Sequence, residues 1–337
     1  MFKIFRAQNW WTIIIPQILG WVYFCELRAA NPFMFSSPQK VFYFVGGVLA
    51  IAAFGYAFND LCDIDIDSAA GKKNHLSGLN KPIRILAVLI PLATGIFFWY
   101  QVKAGVFTNV LYGLQVIALV VYSTKPFRLK EKSLAGVITD AFYGHINPAL
   151  FTLGTFTDWT GQAPGYTTVL LTILVVSTTL KGVRNILLHQ LHDRKNDKAA
   201  GINTFVTQNG GVATLYFINN ILKYEVLFTA LLAITISYAL PPFFLSILLF
   251  GIFTYLKFSG WKLAYLPKRQ LQFKFLYFLN DYYEGWVPVF FLILLSVGDN
   301  RFLIVLLLHL VFFPTFLIKL WQGAKTIRQN FKTEDDY

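Results

Sequence analysis

Cysteine is nearly absent from this chain. Of 337 residues only Cys25 and Cys62 carry thiols, each within or beside an apolar run and without metal-ligand spacing, which excludes a disulfide framework and a cysteine-based zinc site. Charge is scarce too: Asp, Glu, Lys and Arg make up 14% of the residues, against 56% hydrophobic and 18% aromatic. That balance lies far outside the range of a soluble domain and marks a membrane protein. A small-residue cleavage site is also lacking after the basic start at Lys3 and Arg6. Trp10, Trp11 and the bulky residues up to Cys25 make this stretch a retained first span rather than a signal peptide. No linker or low-complexity tract divides the sequence, so a single transmembrane domain is expected over residues 1–325, followed by a cytoplasmic tail over 326–337.

What is present is apolar length. Segments approaching the roughly 20 residues of a bilayer crossing occur near 10–25, 41–60, 83–101, 106–123, 134–156, 166–191, 214–240, 242–258, 276–298 and 301–321. The fold class expected is therefore all-α, a polytopic integral membrane bundle of nine or ten helices. The net charge of +12 would suggest nucleic acid in a soluble protein. In a chain this apolar it sets topology and meets anionic groups of membrane lipids, with no nucleic-acid partner. Basic residues gather at the N-terminus and in every even connection: Lys72, Lys73, Lys81 and Arg84; Lys125, Arg128, Lys130 and Lys132; Arg194, Lys195 and Lys198; Lys262, Lys268, Arg269 and Lys274. The odd connections hold only Arg28, Lys40, Lys103 and Arg301. The positive-inside rule places both termini and the even connections in the cytoplasm.

Against this scarcity of charge, acid is concentrated at Asn59-Asp60-Leu61-Cys62-Asp63-Ile64-Asp65-Ile66-Asp67, directly after the apolar run Val41–Phe58. If the helix continues, Asn59, Asp60, Asp63 and Asp67 share one face and Asp65 points elsewhere. Like charges at these spacings repel, and a bound hard cation, magnesium first, relieves them; a solvated helix end is the alternative. A second element, Asp193-x-x-x-Asp197, ends the sixth span on the same predicted side, with Lys181, Asn185 and His189 in register below it. Lysine and arginine follow both elements closely. A diphosphate needs this mixture, magnesium bridging its oxygens to carboxylates and cationic donors on the rest. A third element, Tyr122-Ser-Thr-Lys125-Pro126-Phe-Arg128-Leu-Lys130, stops span four at its proline and brings Lys125, Arg128 and Lys130 to the same rim.

Asn59-Asp-x-x-Asp63-x-x-x-Asp67 resembles the first aspartate-rich motif of the UbiA superfamily of intramembrane prenyltransferases. Asp193-x-x-x-Asp197 with Gly201 and Thr204 is similar to the second, Tyr122 to Lys130 to the segment after the fourth helix, and Arg6 and Asn9 to the opening. The resemblance implies helices around a central cavity in which Mg2+ ions bind the diphosphate of an isoprenoid donor. Asn59, Asp60, Asp63 and Asp67 would serve one metal site and Asp193 and Asp197 the other. Lys125, Arg128, Lys130, Arg194 and Lys198 would meet the diphosphate. The sequence departs from the family in its ten candidate spans and in Lys73 to Gly78, where arginine and proline are usual. The expected activity is prenyl transfer to a lipophilic, possibly aromatic, acceptor. Cyclisation of the isoprenoid, modification of a polyprenyl phosphate, and a non-enzymatic transporter or scaffold are the other readings. Asp140, His145 and Asn147, at membrane depth in span five, either handle an acceptor's proton or bind helix to helix. Asn280 to Glu284 repeats the theme of acids entering a span and reads either as part of the cavity wall or, preferably, as a snorkelling helix end.

Overall fold

The structure, a computed structural model, describes residues 5–7, 10–69, 71–157, 164–199, 201–258 and 275–334. Among them the regular elements are all helical: α1 (Ile14–Arg28), α2 (Pro38–Ala69), α3 (Lys81–Val102), α4 (Val106–Ser123), α5 (Ser133–Ala141), α6 (Asn147–Phe156), α7 (Pro164–Ala199), α8 (Phe205–Asn209), α9 (Gly211–Ala239), α10 (Phe244–Lys257), α11 (Phe278–Asp281), α12 (Val287–Gly298), α13 (Phe302–Phe312) and α14 (Thr315–Glu334). The last of these runs through most of the stretch assigned above to a tail. The expected Asn9 and the basic residues Lys262, Lys268, Arg269 and Lys274 lie outside the described residues.

Among the described residues five helices, α2, α3, α4, α7 and α9, are long and apolar enough to cross a membrane, and a sixth crossing results if the bent pair α13 and α14 forms one span. Other apolar stretches form shorter or bent helices among the described residues. Span five is interrupted by a π turn, Phe142–Ile146, and the ninth stretch by another, Tyr282–Trp286. Each turn is followed by a proline, Pro148 or Pro288, in the first turn of the next helix. Proline supplies no N–H to the preceding turn, and a widened π turn absorbs the register change. Pro314 separates α13 from α14, whose axes meet at 74°. The outward faces of α3 and α4 carry exposed Leu86, Leu89, Ile90, Phe97, Val110 and Ile117, which lipid covers at no hydrophobic cost.

The chain divides into two compact units: Met1–Trp11, Arg28–Asp158 and Thr178–Ile221 form the first, and Thr12–Leu27, Trp159–Ser177 and Leu222–Tyr337 the second. In the first unit Phe54 and Ala57 of α2 and Val88 of α3 form a buried cluster with Phe58, Leu61, Leu92 and Leu119 around it. Several deeper polar groups bond helix to helix. Asn147 donates to Gln115 Oε1 at 2.8 Å and to the Leu111 carbonyl at 2.9 Å, and Gln115 donates to the Tyr143 carbonyl at 2.9 Å. In the second unit His309 pairs with Tyr23 at 3.2 Å, a structural contact. Asp281 is held there by Lys319 at 2.7 Å and Lys257 at 3.6 Å.

The sequence contains a repeat that spacing alone had not disclosed. Asp63, Asp67, Ala69, Gly71 and the first residue of α3, Lys81, recur 130 positions later as Asp193, Asp197, Ala199, Gly201 and the first residue of α9, Gly211. Both helices end alike. Gly71 and Gly201 adopt left-handed φ of 63° and 67°, and the next residue donates back to the second aspartate of each element: Lys72 N to the Asp67 carbonyl at 2.8 Å, Ile202 N to the Asp197 carbonyl at 2.9 Å. This glycine cap closes the last carbonyls of the helix.

Candidate active site

Helix α2 does run on through the acidic stretch, so Asn59, Asp60, Asp63 and Asp67 lie on neighbouring turns, while Asp65 is exposed as expected. Asp63 is the centre of the cluster. Its carboxylate receives Arg128 Nη2 at 2.7 Å and Lys130 Nζ at 2.5 and 2.6 Å, all three side chains at most 15% exposed. Lys130 also donates to Asn59 Oδ1 at 2.9 Å, as does Ser123 Oγ at 3.0 Å. Burial lowers the pKa of Lys130, and the Asp63 carboxylate partly restores it. For Arg128 burial acts in the same direction, but hydrogen bonds to Glu131 and Asp63 outweigh it and raise its pKa. A pair this enclosed is expensive to break: removing one partner leaves an uncompensated charge, at about 3–5 kcal/mol.

The loop after α4 is shaped to make this contact. Arg128 takes a left-handed φ of 38°, uncommon for a side chain of its size. The strain is held by its own bonds: its backbone N–H donates to the Thr124 carbonyl at 2.6 Å, Nε to Glu131 at 2.5 Å and Nη1 to the Ser123 carbonyl at 3.3 Å.

Asp60, 1% exposed at its side chain, is met by Arg6 Nη2 at 2.7 Å. Asp67 accepts from Asn74 Nδ2 at 2.8 Å, and the same amide donates to the Asp60 carbonyl at 2.8 Å while its oxygen accepts from Leu76 N at 2.9 Å. In the second element Asp197 is 9% exposed and bound by Lys72 Nζ at 3.0 Å. This contact ties the loop after the first element to the second. Asp193 is 32% exposed and has His189 Nε2 at 3.5 Å.

The structure thus gathers Asn59, Asp60, Asp63, Asp67, Arg128 and Lys130 at one helix end, with Asp197 joined to it through Lys72. It leaves Lys125, Arg194 and Lys198 exposed, with the Arg194 guanidinium beside the start of α9 at Gly211. Asn74 and Glu131 went unrecognised as site residues, and Ser123 was quoted only within the third element, with no role. Asn74 could have been found as the polar residue three positions beyond the capping glycine, where Thr204 stands in the repeat; Glu131 and Ser123 carry no such signal. Lys181 and Arg184 are fully buried in α7, and only Lys181 had been singled out.

Chemically, the acidic donors are hard carboxylate oxygens, each now opposed by a protein cation or amide. Among the described residues no group of three or more His, Cys, Asp or Glu is arranged to hold a metal ion. That donor set fits magnesium, which takes one or two carboxylates and fills its remaining positions with water and substrate phosphate oxygens. It does not fit a closed protein cage for a resident ion.

A family model described as the UbiA prenyltransferase family matches residues 18–280. The chain belongs to this family. UbiA-like architecture is seen in solved structures as well. A UbiA homologue from Archaeoglobus fulgidus bound to DMAPP and Mg2+ is 16% identical with a TM-score of 0.57, over 85% of this chain and 98% of that one. The same figures hold for that homologue bound to GPP and Mg2+. A structure from a study of digeranylgeranylglyceryl phosphate synthase in membranes is also 16% identical with a TM-score of 0.57, over 86% of this chain and 96% of that one. No curated protein matches the sequence. The protein is an all-helical, multi-pass integral membrane member of the UbiA family.

Proposed function

We propose that this UbiA-family protein is a magnesium-dependent intramembrane prenyltransferase that ionises an isoprenoid diphosphate and passes the prenyl group to a lipophilic acceptor. The observation that carries the reading is the linked pair of acidic elements. Asp63 stands beneath Lys130 and Arg128, and Asp197 is tied to the first element by Lys72. Magnesium held by Asn59, Asp60, Asp63 and Asp67 on one side and by Asp193 and Asp197 on the other would neutralise charge on the leaving diphosphate. The ligands of the Archaeoglobus neighbours, DMAPP, GPP and Mg2+, are of the chemical class this donor set suits.

In this mechanism Lys130 and Arg128 hand their charge from Asp63 to the phosphate oxygens as substrate enters, so no bare buried cation is left at any stage. Lys72 performs the same exchange at Asp197, and the exposed Lys125, Arg194 and Lys198 draw the anion toward the site. Departure of the diphosphate breaks the allylic C–O bond, and the bonding electron pair leaves with oxygen. The allylic cation then meets the acceptor's electron pair while lipid and apolar walls exclude water, and the acceptor loses a proton. We place the site and both termini on the cytoplasmic side, because the basic connections cluster there. Residues 1–325 act as one transferase domain in this account.

The experiment is product analysis. Purified protein in detergent, given magnesium, a radiolabelled allylic diphosphate and a mixed membrane-lipid extract, is expected to move the label into a larger lipophilic product. A cyclic hydrocarbon formed without extract would replace transfer by cyclisation. Label that stays in unreacted diphosphate would overturn the assignment.

A further inference from the structure

Transfer to an acceptor releases a proton, and a positioned base receives it most readily. Asp140, at the end of α5, is a carboxylate at membrane depth, where an ionisable group is a functional candidate by default. Among the described residues no lysine or arginine pairs with it, and its hydrogen bond comes from the Tyr143 hydroxyl. Tyr143 lies in the π turn Phe142–Ile146, and its carbonyl accepts from Gln115 at 2.9 Å; π turns inside helices are frequent at functional sites. The pair borders the acidic helix end. The Tyr143 ring meets Tyr122 edge-on with centroids 5.2 Å apart, and the residue after Tyr122, Ser123, donates to Asn59 at 3.0 Å. Tyr56 stands one turn before Asp60 on α2. The Asp140 charge acts on Tyr56 and Tyr122 as well as on Tyr143, and His189 of α7 acts on Asp140. Asp140 and the three tyrosines are half-buried, so part of each stays open to contact.

A π turn of this kind does not itself require a charge. Both π turns are followed by a proline; eight residues before it stands Asp140 ahead of Pro148 but Asn280 ahead of Pro288, and five before it stand Tyr143 and Tyr283. An amide fills the position in the second unit, and the carboxylate belongs to the copy beside the acidic helix end. The Tyr143 proton is committed to Asp140, which leaves the phenol oxygen as an acceptor. Such an oxygen suits a donating hydroxyl and offers nothing to an ether or ester oxygen.

We propose that the acceptor is a hydroxyl compound whose O–H donates to Tyr143, and that Asp140 receives its proton through Tyr143. The inference rests on the prenyl-transfer reading above. As an electron pair of the acceptor oxygen forms the bond to the allylic carbon, the acceptor O–H bond breaks. That proton passes to the Tyr143 oxygen while the Tyr143 proton passes to the Asp140 carboxylate, which becomes neutral; the diphosphate keeps the electron pair of the broken C–O bond. Tyr143 is the catalytic residue of this step, and Asp140 acts through it. The test gives the full chain in detergent magnesium, radiolabelled geranyl diphosphate and a membrane-lipid extract, either native or with its hydroxyls acetylated. The readout is the share of released diphosphate matched by labelled lipid product. Wild type with native extract is expected to convert nearly all of it, and with acetylated extract almost none, the label appearing as the prenyl alcohol formed with water. Asp140→Asn, close in shape but unable to take the proton, is expected to lower the share about 100-fold, and Asp140→Glu to recover most of it. Tyr143→Phe is expected to lower the share as Asp140→Asn does, and it decides the matter if thermal unfolding shows that Asp140→Asn does not fold. A purely structural role would lower release and product together and leave the share at the wild-type value. That result, or equal shares from acetylated and native extract, would overturn the inference while transfer by the wild type stands. A wild type that moves no label into lipid would overturn the prenyl-transfer reading, and this inference with it.

Discussion

The two copies of the acidic element share a backbone and differ in how their charges are kept. In the first, each carboxylate of the shared helix face is answered: Asp63 by Arg128 and Lys130, Asp60 by Arg6, Asp67 by Asn74. In the second, Asp193 is one-third exposed with a histidine at 3.5 Å, and Asp197 pairs with a lysine from the first copy. The position of Asp60 is taken by Gln190, a buried amide whose oxygen accepts from Val206 N at 3.4 Å. Identical caps therefore carry a rigid, pre-neutralised anchor in one place and a more open, lightly held arm in the other. Such a division suits a site in which one side is fixed and the other closes on the ligand.

The largest expected effect comes from breaking the anchor. Asp63→Asn strands two enclosed cations and should lower stability by about 3–5 kcal/mol, read as a fall in the thermal unfolding midpoint. Asp193→Asn, at the exposed counterpart, should cost under about 1 kcal/mol. Equal losses would erase the distinction between the copies. Next, Gln190→Glu places in the second copy the charge that Asp60 carries in the first, but without an Arg6 to meet it. A destabilisation of roughly 2 kcal/mol or more is expected, and urea unfolding measures it. A neutral outcome would show that the second copy can accommodate a charge the account denies it. Asn74→Ala unties Asp67 and leaves its acceptors unmet, at about 1–3 kcal/mol. The smallest effects belong to the shared cap. Gly71→Ala and Gly201→Ala each force a side chain into left-handed backbone at roughly 1–2 kcal/mol, and their losses should match within error. Clearly unequal values would mean that the repeat is one of sequence and not of structure.

Much of this was legible in the sequence because helix periodicity turns spacing into geometry. Asp60, Asp63 and Asp67 had to share a face if α2 continued, and the excursion of Asp65 followed from the same arithmetic. The basic loop was placed correctly because Pro126 ends α4 and Arg128 and Lys130 come directly after it. The pairing partners were harder to see. Asn74 and Glu131 reach the site from the connections after α2 and α4, where no long-helix periodicity relates position to direction. Arg6 and Asp60 meet over 54 residues, a distance that only tertiary folding decides. Apolar runs hid local breaks: hydropathy averages over Pro148, Pro288 and Pro314, whereas the backbone must answer each lost N–H. The repeat escaped because its matches are few and lie 130 positions apart, and the shared left-handed glycines made it plain.

The central claim is that the two copies hold one diphosphate between them with magnesium. Single-turnover release of diphosphate from an allylic diphosphate, measured with magnesium for the wild type, Asp63→Asn and Asp197→Asn in protein confirmed as folded, tests it most directly. The account predicts rapid release by the wild type, none when magnesium is chelated, and a loss of about 10²–10³-fold in each variant. Release at the wild-type rate in either variant would contradict it.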